Sequence, residues 1–368
     1  MTKLRVLCYH DSYDDYVGAL VNGLADHVEV WLAHPASSSE YLRPMVRDDV
    51  HLVSIAMPRL RDPRRFLAVP ALGRLAARVE ADVVHVQQSA DPWFNLRQVR
   101  GAGVPRVDTI HDVTPHPGDR TAVPGARFVH RLSRRSIARY ITHAPVLRDD
   151  FVARWRVDPA NVDVVAMGEL GSVYGGRLPH REPAVPPRVL FFGRIWPYKG
   201  LDRLILAMNE LARSRPGLTL VIAGAGEPIG RYVALAAPQL TLDLRNRRVA
   251  EEEVREVFSD ATVACFPYVE ASQSAALTMA FGFGLPVVAS RVGGLSYAVA
   301  DGVDGLLVAP DDVAALTAAL ARVLDEPELR ARLRNGVAER NALDRDWSTI
   351  GAQTVEVYRR AIGDASAR

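Results

Sequence analysis

The segment Gly193-Arg-Ile-Trp-Pro-Tyr-Lys-Gly200 places a guanidinium, Arg194, and an ammonium, Lys199, on either side of a proline turn. The ammonium is conspicuous. Of 45 lysines and arginines in the 368 residues, only Lys3 and Lys199 are lysines, so arginine supplies basic charge almost everywhere else. A guanidinium is a planar fork and an ammonium a compact point charge on a flexible stem. Used together they suit a diphosphate, the fork taking two oxygens and the point charge a third. The plainer use of Lys199 is a surface lysine after a turn, and its neighbours decide between the two.

The richest neighbour is Phe266–Gly294. A strand-like run ends near Phe266, and a polar loop then carries Glu270. Ser272 or Ser274 can cap a helix running to about Phe283. Gly284 can end that helix, and Pro286 opens the next strand. The free amides of Ala275, Ala276 and Leu277 then make an anion site at a helix N-terminus. Glu270 beside it is placed to accept hydrogen bonds from sugar hydroxyls. Positive groups gathered around a leaving group stabilise the charge that builds there. Gly224-Ala-Gly226, followed by Gly230, imitates a dinucleotide fingerprint, but with G-x-G-x-x-x-G spacing, and it lies in mid-chain. A phosphate or nucleotide loop explains it more simply. Arg245-Asn-Arg-Arg248-Val249 precedes Glu251–Glu253, which also reads as a helix start with acids at its positive end.

All ten histidines lie at or before His180. Most read as scattered core or surface residues. His111, directly after the apolar run Arg106–Ile110, is the one expected at a reaction face. His85 has similar placement and reads as structural. His116, in Thr114-Pro-His-Pro-Gly118, either shapes a loop or simply serves a turn.

The elements that must position these groups alternate along the whole chain. Strand-like runs at Leu4–Tyr9, Val28–Ala33, Leu52–Ile55, Val83–Val86, Arg106–Ile110 and Tyr140–Thr142 are separated by helical stretches such as Asp15–Ala25, Leu67–Val79 and Phe128–Arg139. The rhythm repeats at Val189–Phe192, Leu218–Ala223, Leu240–Leu244, Ala261–Phe266, Pro286–Ala289 and Gly305–Val308. There the helices are Leu201–Ala212, Glu251–Phe258, Ser274–Phe283 and Asp312–Leu324. Such alternation predicts α/β architecture with parallel sheets. The Gly- and Pro-rich stretch 171–187 reads as a linker between an N-terminal domain, 1–170, and a C-terminal domain, 188–347. Two doubly wound Rossmann-like domains facing across a cleft are expected, with ligands beyond the carboxyl ends of the strands.

The bulk numbers exclude other classes. A net charge of +2 does not point to a nucleic-acid partner. Cys8 and Cys265 sit in apolar runs and read as buried thiols in a reducing compartment. No run approaches the ~20 apolar residues that span a bilayer, and the N-terminus has no signal-peptide layout. A cytoplasmic protein is expected. Arg59, Arg61, Arg64 and Arg65 form one basic cluster, and Arg127, Arg131, Arg134, Arg135 and Arg139 a second. The second can form the basic face of an amphipathic helix. That reads first as a solvated face, with peripheral docking on the inner membrane face, or a grip on a phosphorylated acceptor, as the lesser alternative.

Taken together, these segments resemble the retaining, GT-B-fold glycosyltransferases of family 4, over most of the chain. Gly-Arg-x-x-x-x-Lys-Gly resembles the family's diphosphate motif, and Glu270 the first glutamate of its E-x7-E motif. Pro286-Val-Val-Ala-Ser, Val292-Gly-Gly and Asp301-Gly-x-x-Gly-Leu-Leu-Val308 fit the segments that follow. Asp82-Val-Val-His85 and Thr109-Ile-His111-Asp112 resemble its N-domain strand ends. The resemblance implies that His111 reaches the transferred sugar, Glu270 its 3- and 4-hydroxyls, and Arg194 and Lys199 the diphosphate. Gly193, Gly224, Gly226, Arg248, Val249 and Ser274–Thr278 would complete the donor site, Arg245–Val249 resembling the family's base-contacting loop. It also implies that 348–368 forms a helix that joins the N-terminal domain in space.

The chain departs from the family at three points. Thr278 stands where the second glutamate, which usually bonds the ribose, is expected; the change is not read as inactivating. Tyr297 stands where an acid is common. His10-Asp11-Ser12-Tyr13 replaces the glycine pair of the first loop, so His10, Asp11, Tyr13 and His116 are assigned to the acceptor side. The expected function is transfer of a sugar from a nucleotide diphosphate, UDP- or GDP-linked, to a hydroxyl acceptor in natural-product or surface-glycan synthesis. No metal is expected, since positive side chains and a helix terminus do the cation's work. A non-catalytic sugar-nucleotide binder, raised by Thr278 and Tyr297, is the first rival. A dinucleotide-dependent oxidoreductase built on Gly224–Gly230 is the second. The presence together of Arg194, Lys199, Glu270 and His111 favours the enzyme.

Overall fold

The computed structural model describes residues 3–58, 62, 64, 67, 72–89, 91–98, 102–113, 134–176 and 186–366. The chain forms two units, and each holds one wholly parallel sheet. The expected α/β class is what forms.

The first unit takes described residues up to Gly168 together with Arg345–Arg368. Its strands are β1 (Arg5–Tyr9), β2 (Glu29–Pro35), β3 (His51–Ile55), β4 (Val83–Gln87), β5 (Arg106–Thr109), β6 (Arg139–Thr142) and β7 (Val162–Val164), in the order β3-β2-β1-β4-β5-β6-β7. Every residue of the central β4 and β5 is buried, whereas none of β3 at the edge is. That is why β4 reads as a continuous apolar run. The order reverses between β1 and β4, and the loops after those strands open at this switch point. The last helix, Trp347–Ser366, packs on Asp14–Ala25 backbone to backbone. A Cβ at Gly23 would lie 1.9 Å from the Trp347 carbonyl oxygen, and one at Gly351 2.4 Å from that of Gly23.

Two expectations are corrected in this unit. The stretch 128–139 is not helical to its end: Arg134–Ser136 is a short 3-10 turn and Arg139 opens β6. Arg139 is buried, pairing with Asp163 at 2.7 Å and Asp364 at 2.8 Å, so it cannot sit on a basic surface face. Arg134 lies 3.4 Å over the Trp155 ring. Arg127 and Arg131 lie outside the described residues. The strand β7 has no apolar signal because Asp163 is its centre. That carboxylate is held by Arg139 and, at 2.7 Å, by Arg360 of the last helix.

The second unit is Glu169–Asp344. Its strands are β8 (Arg188–Phe192), β9 (Thr219–Ala223), β10 (Thr241–Arg245), β11 (Val263–Phe266), β12 (Val287–Ser290) and β13 (Gly305–Val308), in the order β10-β9-β8-β11-β12-β13. The helices Leu201–Ala212 and Val313–Asp325 bury Leu204, Met208, Leu316 and Leu320 with the sheet residues Val189, Leu220, Val263 and Val288 in one core. Here the switch point lies between β8 and β11. The expected linker 171–187 begins later than its composition implied. Gly171–Tyr174 is a 3-10 turn fastened to this unit, with Leu170 N–H donating to the Thr278 carbonyl at 3.3 Å. Residues 177–185 lie outside the described set. Among the described residues no helix is long and apolar enough to cross a membrane.

Candidate functional site

In the second unit the loops after β8 and β11 meet at the switch point. The first closes with a 3-10 turn, Pro197–Lys199, and then Gly200. Gly200 has φ +67, and a Cβ there would meet the Pro267 carbonyl oxygen at 1.9 Å, so glycine is required at this crossing. Val269 N–H donates to the Tyr198 carbonyl at 2.8 Å and stitches the two loops together. This stitching turns Lys199 inward, leaving it only 8 % exposed. Its Nζ donates to Tyr268 Oη at 2.7 Å and lies 3.9 Å from the centre of that ring. Tyr268 Oη is in turn 3.1 Å from Ser274 Oγ.

Ser274 is the N-cap of Ala275–Gly282, its Oγ accepting from Leu277 N–H at 3.3 Å; Ser272 does not serve. The loop Gly193–Ile195 faces the same helix end: a Cβ on Gly193 would lie 3.8 Å from that of Ala276. Arg194 is exposed on this loop, near enough for its charge to act on the Tyr268 phenol, which burial pushes well above its usual range. Arg194, Lys199, Ser274 and the first amides of the helix therefore converge on one spot. An anion is stabilised there by a fork, a point charge and a helix terminus together.

The other donor-side residues have distinct placements. Glu270 is exposed two residues beyond Tyr268, on a loop braced by Gly294 N–H donating to the Ser272 carbonyl at 2.9 Å. Thr278 is buried and donates its hydroxyl proton to the Ala275 carbonyl at 2.9 Å. Gly224 and Gly226 have a structural reason to be glycine. A Cβ on Gly224 would lie 1.8 Å from the Gly193 carbonyl oxygen, and one on Gly226 2.2 Å from that of Ile195. They let the loops after β8 and β9 run side by side, and no dinucleotide is needed to explain them. In the basic loop, Arg247 is taken up by Glu253 and Arg245 by Asp243 and Glu256. Arg248 is exposed and makes no ion pair among the described residues, and Val249 beside it is half-buried.

The first unit gathers a different set of groups at its own switch point. His111 follows β5 and is 2 % exposed. Gln88 clamps the turn, its Oε1 accepting from His111 N–H and Asp112 N–H, both at 2.8 Å. His111 Nε2 donates to Gln87 Oε1 at 3.0 Å, and Gln87 Nε2 lies 3.3 Å from His85 Nε2. His85 Nδ1 reaches Tyr358 Oη of the last helix at 2.7 Å, and Thr109 Oγ1 reaches His85 Nε2 at 2.7 Å. An amide oxygen only accepts, so the Gln87 contact places the His111 proton on Nε2. Burial, with the nearby His143 and His85, lowers the His111 pKa well below the usual range, so the ring works neutral. Burial first, then His143, brings His85 to about 3.

Tyr13 stacks on His111 with ring centres 4.2 Å apart, from a backbone at φ +70 that non-glycine residues rarely adopt. Asp11 accepts from Ser89 Oγ and, at 3.4 Å, from Ser12 Oγ. His10 differs from its expected place on an acceptor face. It is fully buried, with Nδ1 3.0 Å from the Ser12 carbonyl, and it shapes the loop rather than lining it. His116 lies outside the described residues. Tyr268, Gln87 and Gln88 were not singled out by the sequence. Tyr268 carried one available signal, an aromatic in the loop directly after a strand end and before the cap.

Comparison with known proteins bears on the same two regions. Residues 13–168 match the family described as glycosyl transferase 4-like domain, and residues 186–326 that described as glycosyl transferases group 1. The chain is 30% identical over 327 residues to an MMP alpha-(1->4)-mannosyltransferase of Mycolicibacterium hassiacum, covering 83% of this chain and 77% of that one. It is 31% identical to a D-inositol 3-phosphate glycosyltransferase of Frankia alni, over 77% of this chain and 75% of that one. Among solved structures, Anabaena Alr3699/HepE in complex with UDP and glucose superposes with TM-score 0.70 at 16% identity, over 97% of this chain and 100% of that one. Both domain families match in order along one chain, and the two parallel sheets are those of the GT-B fold: the chain belongs to the group 1 glycosyltransferases.

Proposed function

We propose that this glycosyltransferase moves a hexosyl group from a UDP- or GDP-sugar to a hydroxyl acceptor, with retention of anomeric configuration and without a metal. The observation that carries the donor assignment is the convergence of Lys199, Arg194 and the Ser274-capped helix end on one spot. In this reading the bond from the anomeric carbon to the phosphate oxygen breaks, and the acceptor oxygen bonds that carbon on the same face. A departing phosphate oxygen takes the acceptor's proton. The two cationic side chains and the helix terminus hold the negative charge left on the diphosphate. Glu270 orients the sugar, and His111 contributes a neutral hydrogen-bonding edge. UDP is supported as a candidate by the nucleotide bound in the Anabaena structure. Mannose and D-inositol 3-phosphate are first candidates for sugar and acceptor, from the names of the two relatives.

The test is turnover of UDP- and GDP-hexoses with D-inositol 3-phosphate and a panel of hydroxyl acceptors, with the product anomer read by NMR. Retention and full activity in chelator are expected. An inverted product or loss of activity in chelator contradicts the mechanism. Nucleotide binding without turnover of any acceptor returns the non-catalytic binder to first place.

A further inference from the structure

The hydrogen bonds around Tyr268 have only one consistent direction. An ammonium has three donors and no acceptor, so Lys199 Nζ must donate to Tyr268 Oη, 2.7 Å away. The phenol has one proton and is 0 % exposed, so that proton needs a buried acceptor. The hydroxyl's other partner is Ser274 Oγ at 3.1 Å, which therefore receives it. Ser274 Oγ also accepts from Leu277 N–H at 3.3 Å. Both lone pairs of the serine oxygen are then in use, and its own proton has no acceptor among the described residues. The side chain is 7 % exposed, so bulk water is a poor substitute. The same ring lies beneath the ammonium, an arrangement that favours the charged form of a buried lysine.

We infer that Tyr268 is a positioning residue that fixes Lys199 and turns the Ser274 hydroxyl into a further donor to an anionic ligand oxygen, one of the diphosphate. The inference rests on reading this spot as the donor-diphosphate site. It explains why a bulky aromatic is kept fully buried between a lysine and a helix cap, where packing alone needs no hydroxyl. It also gives Ser274 two tasks. One lone pair caps the helix, and the proton meets the ligand.

The experiment is calorimetric titration of UDP and of GDP into the wild-type protein and into Tyr268→Phe, Ser274→Ala, Ser274→Thr, the Phe/Ala double variant and Lys199→Ala. A hydrogen bond to a charged group is worth roughly tenfold or more in affinity. Tyr268→Phe and Ser274→Ala should each weaken the better nucleotide about tenfold. The double variant should be no weaker than about the worse single, because both act through one chain of hydrogen bonds. Ser274→Thr, which keeps the hydroxyl, should recover most of the loss; a purely structural role for the cap predicts no such selective recovery. Binding by Tyr268→Phe and Ser274→Ala within about twofold of wild type, with Lys199→Ala still defective, overturns the inference and leaves the donor site standing. Independent, multiplying losses in the double variant overturn the relay. Failure of both nucleotides to bind wild type removes the donor-site reading and the inference with it.

Discussion

The two units use one scaffold to do opposite electrostatic work. Each sheet reverses its strand order at one point, and each gathers its candidate groups on the loops there. In the second unit the buried group is a lysine, Lys199, seated over a phenol ring and gathered with a helix terminus at one spot. In the first unit the buried groups are imidazoles. His111, His85, His143 and His10 all have pKa values lowered mainly by burial; Gln87 links the first two rings, and His143 and His10 each meet a backbone carbonyl. The topology decides where a site sits. The residues decide whether it supplies charge or neutral, oriented hydrogen bonds. A leaving diphosphate needs the first, and a sugar hydroxyl needs the second.

The largest effect that sharpens this contrast is expected at Lys199. Lys199→Ala should lower kcat/KM by roughly 100-fold or more and weaken nucleoside diphosphate binding in parallel. Lys199→Arg should not restore it, because the planar fork does not fit the slot over Tyr268. Steady-state kinetics and titration check both.

Acid should separate the units next. A buried histidine with a depressed pKa is neutral in the folded state but takes up a proton when unfolded below its ordinary value of 6.5. Its stabilising contribution is therefore complete above about pH 6.5. It is lost as pH falls toward the folded value, about 4 for His143 and about 3 for His85. Each such group costs up to about 1.4 kcal/mol per pH unit in that window. Apart from His180, which lies outside the described residues, Glu169–Asp344 contains no histidine. Calorimetry between pH 7 and 5 should show the melting of the first unit fall first, with the second nearly constant. Equal shifts would break the comparison.

A smaller effect is expected at His111. His111→Ala should lower kcat by about tenfold or more and leave nucleoside diphosphate affinity within about twofold, since a neutral hydrogen bond to the sugar is lost. Because the ring is neutral, the pH–rate profile should show no step from it near 6.5. Smallest is Arg248→Ala, which should weaken UDP or GDP a few-fold and leave inorganic pyrophosphate unaffected. A loss equal for both would place Arg248 at the phosphates.

The parts legible in the sequence were those carried by short linear patterns. Parallel strands showed as apolar runs, and twelve of the strands lie where those runs are. Lys199 and Ser274 were visible as types beside a turn and a cap. What was not legible depends on partners distant in the chain. Tyr268 in Phe-Pro-Tyr reads as core until Lys199 and Ser274 meet at its hydroxyl. Gln87 and Gln88 look like the frayed end of a strand until β5 brings His111 beside them. Arg139 passed for a surface cation because Asp163 and Asp364 lie far along the chain. Burial of His10 likewise follows from packing against β2, where the His34 ring lies 6.4 Å away.

The most direct test of the donor site is a thermal-shift panel of UDP, GDP, ADP, dTDP and NAD on the wild-type protein and on Lys199→Ala. A ligand at ~100 times its dissociation constant adds about 2.7 kcal/mol of stability. The account predicts that UDP or GDP raises the melting midpoint, NAD does not, and Lys199→Ala abolishes the shift. A shift with NAD alone, or a nucleoside diphosphate shift that survives in Lys199→Ala, would contradict it.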